Sequence, residues 1–196
     1  AIKVSANYMH TALVRNKGNG QFLLEALPFQ VQWSPVYGVL AEDVDKDGNI
    51  DLILNTNDLG TEVNTVQYDA LNGIFLKGTG DGKFLPQSTL ASGFNIPSNG
   101  KAIVKFKYGN DYAIAVSQNK AALKLFRING NNEMIPIMPF ETTATLYLKN
   151  GKVRKEEFYY GNSFLSQSAR FVMINETVKR IKIYSANGSF REISFE

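Results

Sequence analysis

The feature that most limits how this chain can fold is a short apolar–turn–aromatic unit that returns along its length. Leu13-Val14-Arg15-Asn16-Lys17-Gly18-Asn19-Gly20-Gln21-Phe22 meets Phe75-Leu76-Lys77-Gly78-Thr79-Gly80-Asp81-Gly82-Lys83-Phe84 at a shift of 62 residues, and the same shift carries Pro35 onto Pro97 and Gly38 onto Gly100. A third, shorter copy is Leu125-Phe126-Arg127-Ile128-Asn129-Gly130-Asn131, whose Arg127 lies 112 residues past Arg15. In each copy an apolar pair ends a strand and a Gly/Asn-rich turn reverses the chain. Gly and Asn reach positive φ there at little cost. Self-similarity with a period of about 50–60 residues marks a β supersecondary block of the size of a propeller blade.

The rest of the chain reads as β as well. Short apolar runs at 12–14, 21–24, 50–54, 74–76, 103–106, 113–116, 123–126, 144–148, 171–174 and 181–184 are each bounded by Gly, Asn, Asp, Ser or Lys. No window keeps a helical period, so the expectation is an all-β chain. About two repeats fit into residues 1–137, whereas a closed propeller needs 4–8 blades. The blades are therefore expected to be incomplete, with open sheet edges that pair with missing blades or with a second chain. From residue 138 the repeat stops. Residues 138–196 read as a separate β-sandwich or β-sheet module, with strands at 142–149, 152–160, 165–174, 178–184 and 190–195 and hairpin turns at Asn150-Gly151 and Asn187-Gly188.

Composition removes several function classes. The chain has 196 residues, 21 Lys and Arg against 18 Asp and Glu, one His and no Cys. Disulfides, thiolate metal sites and Cys nucleophiles are excluded. The single histidine, His10, excludes multi-His zinc sites and has no acidic neighbour to orient it. The small basic excess is scattered, so a nucleic-acid footprint is not expected. No apolar run reaches the ~18 residues of a membrane span. The first residue is Ala1, which suggests a removed leader or an excised piece of a longer protein.

The segment richest in chemistry is Asp43-Val44-Asp45-Lys46-Asp47-Gly48-Asn49-Ile50-Asp51-Leu52. Carboxylates stand at relative positions 1, 3, 5 and 9, and Gly48 at position 6 permits a sharp reversal. A tight loop turns alternate residues inward, so that Asp43, Asp45, Asp47 and Asp51, with the Asn49 backbone carbonyl, converge on one point. Crowded like charges call for a hard cation. Ca²⁺ takes six to eight oxygens in flexible geometry, whereas Mg²⁺ demands a strict octahedron. The spacing starts like an EF-hand, but Leu54 stands at position 12 and neither flank is helical, so the expectation is a strand–loop–strand calcium loop. In the next repeat Lys105 and Lys107 replace Asp43 and Asp45, and one site per chain is expected.

Residues 43–52, with the Gly/Asn-rich turns and Phe22 or Phe84, resemble the FG-GAP/VCBS repeat of calcium-binding β-propellers. Residues 160–168 and 178–188 resemble the ASPIC/UnbV module that follows such repeats. The resemblance implies an exported protein, secreted, periplasmic or at the cell surface, often bacterial. It implies calcium as a structural ion and a binding or adhesion role, and it brings no catalytic residues.

Other candidates read as structural. Gly78-Thr79-Gly80-Asp81-Gly82-Lys83 looks like a phosphate loop, but Phe84-Leu85-Pro86 follows where a helix should start. Glu156 and Glu157 are adjacent and on a strand would face opposite sides. Trp33 and Tyr37 read as packing residues, and Ser163, Ser166 and Ser168 as turn residues. The functional expectation is a non-enzymatic extracellular calcium-binding module that recognises a protein or glycan. The alternatives are a glycan-active hydrolase or lyase fragment drawing on Glu25, Glu42, Glu133 or Glu141, and a purely architectural C-terminal cap.

Overall fold

A computed structural model describes residues 3–62, 64, 66–128, 133–161 and 163–195. The chain is all-β. It opens with a hairpin of β1 (Ala12–Gly18) and β2 (Gln21–Ala26). Next come β3 (Val36–Glu42), β4 (Asp51–Thr56), β5 (Ile74–Gly78) and β6 (Phe84–Gln87), an antiparallel meander in which every strand pairs with its chain neighbour. After the single-turn helix α1 (Thr89–Ser92), β7 (Asn99–Tyr108), β8 (Asp111–Asn119) and β9 (Lys124–Ile128) form a three-stranded meander. The last elements are β10 (Glu133–Pro136), β11 (Glu141–Leu148), β12 (Val153–Glu157), β13 (Phe171–Ile174), β14 (Val178–Ser185) and β15 (Phe190–Ser194). They make a sheet of order β12-β11-β14-β15 and a two-stranded sheet, β10-β13. Among the described residues no sheet closes on itself.

The repeat is visible as geometry. β1–β2 and β5–β6 are both antiparallel hairpins, 62 residues apart. The turn of the third copy, Asn129-Gly130-Asn131, lies outside the described residues, as does Asn162. The strand that follows that turn, β10, is where the third copy departs. At a shift of 50 residues Pro86 of β6 falls on Pro136 of β10, yet β10 pairs with β13 and not with β9. Burial accounts for the change. Ile135 and Ile137 pack with Ala144, Leu146, Val172, Ile174, Ile181 and Ile183, while Met134 packs against the cluster that also takes Phe126 and Ile128 of β9, so β10 placed beside β13 serves both cores.

β13 reads Phe-Val-Met-Ile with all four residues buried, the pattern of a strand covered on both faces. Phe171 and Met173 join the cluster of Leu40, Ile53, Ile103 and Ile114, while Val172 and Ile174 join the cluster around Leu146 and Ile183. The two-stranded β10–β13 sheet is thus a layer common to the repeat sheets and the C-terminal sheet, and position 137 falls between its two strands.

β3 and β7 approach closely. A Cβ on Gly38 would stand 2.7 Å from the Lys101 carbonyl oxygen and 2.8 Å from Ile103 Cγ2. The fully buried Asn55 amide donates to the carbonyls of Ala102 (3.0 Å) and Ser117 (3.1 Å), tying β4 to the β7–β8 hairpin. The strand expected at 165–174 is shorter, covering only β13. Residues before it spend their polar groups on β7 instead: Ser163 Oγ accepts from the Ile103 N–H (3.2 Å) and Ser168 Oγ from the Lys105 N–H (3.1 Å).

Candidate metal centre

The acidic segment lies where its spacing places it, as an irregular loop between antiparallel β3 and β4, with Glu42 opposite Asp51 in register. Lys46 (φ 65°) and Gly48 (φ 88°) carry the reversal. Asp side chains brace the turns between them: the Asp47 N–H donates to Asp45 Oδ1 (3.3 Å) and the Asn49 N–H to Asp47 Oδ1 (2.8 Å). In the next repeat the corresponding connection shrinks to a two-residue turn, Gly109-Asn110, between Tyr108 and Asp111.

Carboxylate oxygens of Asp43, Asp45 and Asp51 gather within 4.8 Å of one another. Their burial differs, and so do their duties. Asp51 is fully buried; its Oδ2 accepts from the Val44 N–H (2.9 Å) and the Asp45 N–H (3.4 Å), and its Oδ1 from the Gly78 N–H (2.8 Å). Three backbone donors make it the staple that shapes the loop and locks it to β5. Burial pushes the Asp51 carboxyl above the ordinary aspartate range; the Gly78 and Val44 N–H groups pull it back and the Asp45 charge pushes the same way as burial.

Asp43 is held from the far end of the chain. Its side chain is 4% exposed, and Oδ2 accepts from the Gly48 N–H (3.1 Å), Arg154 Nη1 (3.2 Å) and Asn175 Nδ2 (3.1 Å). Its other oxygen, Oδ1, is buried and has no hydrogen-bond partner. A buried carboxylate oxygen left unpaired is costly, and native structures resolve such atoms with a donor, a water or an ion.

Asp45 is half-exposed and meets the Lys77 ammonium of β5. Asp47 stands apart from the gathered three; its Oδ2 lies 3.2 Å from the same ammonium. The Asn49 side-chain oxygen faces Lys152 Nζ at 3.5 Å. The donor set is therefore all oxygen and anionic, the chemistry of a hard divalent cation. The residues fit such an ion through three gathered carboxylates, one of which, Asp43, keeps a buried oxygen free.

Four partners of this loop were not legible in its own sequence: Lys77, Lys152, Arg154 and Asn175. Arg154 and Asn175 reach Asp43 across 111 and 132 residues. Lys77 had a signal, since the repeat places it on Arg15 and Arg127.

The remaining candidates are placed elsewhere. Glu25 pairs with Arg15 (2.6 Å), Glu42 with Lys105, and Glu141 with Arg191 (2.6 Å), while Glu133 is exposed. Lys105, which replaces Asp43 in the next repeat, is buried against Glu42. On β12 Glu156 turns to Arg154 (3.0 Å) and Glu157 to Lys155 (3.0 Å). Burial, then the Glu42 charge, pushes Glu156 up. His10 is exposed and its ring meets Tyr8 edge-on. Trp33 is 47% exposed, against the Phe29 ring, and the Tyr37 ring lies beneath Lys101 Nζ at 3.4 Å. Thr79 to Lys83 form a turn closed by Asp81 Oδ1, which accepts from the Lys83 N–H (3.1 Å). Among the described residues no helix is long and apolar enough to cross a membrane. The chain matches no protein-family model and no curated protein.

Proposed function

We propose that this chain is a non-enzymatic, calcium-stabilised β-repeat module of the FG-GAP/VCBS type with an ASPIC/UnbV-like C-terminal part, exported from the cell and used to bind a protein or glycan. The observation that carries the reading is the Asp43 carboxylate, which gathers with those of Asp45 and Asp51 and whose Oδ1 is buried and unpartnered. A calcium ion there is held by Asp43, Asp45 and Asp51, with Asp47 and the Asn49 carbonyl as the further donors the spacing supplies. It offsets the negative charge crowded between β3 and β4 and fixes the loop. The four-stranded meander β3–β6 and the partial meander β7–β9 are the blades of this reading, and their succession at a 62-residue step supports it. The engagement of Glu25, Glu42 and Glu141 with cations supports binding over hydrolysis.

Extracellular calcium modules bind at about 10⁻⁴–10⁻³ M. Calorimetric titration of the whole chain with CaCl₂ is expected to show one ion taken up in that range. Asp45→Ala, which removes the half-exposed ligand and spares the Asp43 and Asp51 scaffold, is expected to abolish the uptake. Absence of uptake by the unsubstituted protein at millimolar ion defeats the reading.

A further inference from the structure

The carboxylates of the loop already have a cation of their own. Lys77 reaches across from β5, and its ammonium contacts Asp45 Oδ2 and Asp47 Oδ2, the latter at 3.2 Å. The position has a counterpart in each copy of the repeat. Arg15 on β1 pairs with Glu25, and Arg127 on β9 pairs with Asp111 at the end of the turn that stands in place of the acidic loop (2.6 Å). A basic residue on this strand is thus a standing part of the repeat, and in the acidic copy it meets oxygens that a metal would need.

We propose that Lys77 sets the calcium affinity of the loop by competing for Asp45 and Asp47, so that ion uptake is an exchange of an ammonium for a divalent ion. This rests on the calcium reading above. An oxygen in contact with an ammonium gives up that contact when it turns to a metal, and the displaced charge still repels the incoming ion. With Lys77 in place the loop is partly held together before calcium arrives, and the ion adds less rigidity than it would to a loop without that ammonium. Without Lys77 the like charges repel until calcium arrives.

The test is Lys77→Gln, with Lys83→Gln as the control. Lys83 lies on the β5–β6 turn, is 80% exposed and pairs with Asp81, so its loss changes net charge equally without touching the loop. Lys77→Gln is expected to bind CaCl₂ about tenfold more tightly in calorimetry. That is the order produced by removing a unit charge a few ångströms away in a high dielectric. Its melting temperature in chelator is expected to fall below that of the unsubstituted protein, and added calcium is expected to raise it more. Equal affinity in all three proteins, or the same gain in Lys83→Gln, overturns the inference and leaves the calcium reading intact. If none of the three takes up the ion, the calcium reading falls and this inference with it.

Discussion

Because β13 carries one core on each face, neighbouring residues in it should weaken the whole molecule together. Consider Ile174→Ala and Met173→Ala. Ile174 is 4% exposed and packs with Leu146, Ile181 and Ile183; Met173 is 9% exposed and packs with Leu40, Ile53 and Ile114. Removing either side chain loses a transfer term of about 2 kcal/mol. The cavity left behind brings the total to roughly 3 kcal/mol, within the usual 2–5. For a chain of this length each kcal/mol lowers the melting temperature by about 2–4 °C, so each variant should melt roughly 6–12 °C lower. Differential scanning calorimetry should show one transition in the unsubstituted protein and in both variants, moved as a unit, with calorimetric and van't Hoff enthalpies in agreement. Two transitions, of which Ile174→Ala lowers one and Met173→Ala the other, would refute the shared layer and make the repeats and the C-terminal sheet independent folding units.

Two further outcomes follow from the packing and the charges. Gly38→Ala puts a Cβ against the Lys101 carbonyl and the Ile103 backbone, which cannot swing aside, so urea unfolding should register a loss of about 1–3 kcal/mol. Burial alone would raise the Glu141 carboxyl, but the Arg191 guanidinium and the Met138 N–H outweigh it and hold the group below its ordinary value of 4.5. A carboxylate depressed on folding stabilises above its unfolded pKa and loses that stabilisation as pH falls through the folded one. Glu141→Gln should therefore be less stable than the unsubstituted protein at neutral pH, and the difference should shrink as pH drops below about 4.5 in pH-dependent denaturant midpoints.

What could be read in advance divides along the distance over which each feature is determined. The strand–loop–strand character of residues 43–51 follows from local spacing: alternate carboxylates, a glycine at the reversal, and apolar strands on either side. The hairpins β1–β2 and β5–β6 follow from turn residues within a few positions of each other. The role of Asp51 was less accessible. Its spacing marks it as a ligand, but the Val44, Asp45 and Gly78 N–H groups make it first a scaffold, and Gly78 comes from a strand 27 residues on. β10 was hidden for a similar reason. Its pattern belongs to the repeat, and its pairing with β13 goes with apolar contacts to residues 144–183 that lie far along the chain. Arg154 and Asn175 lie in strand and turn contexts that carry no sign of the acidic loop, so their grip on Asp43 belongs to tertiary structure alone.

The most direct measurement is the electron density of crystals grown with millimolar CaCl₂. Calcium binding in this loop predicts a spherical peak of calcium strength among the carboxylates of Asp43, Asp45 and Asp51, with the Lys77 ammonium withdrawn from Asp45. Water alone at that position, with Lys77 still seated on Asp45 and Asp47, would contradict it.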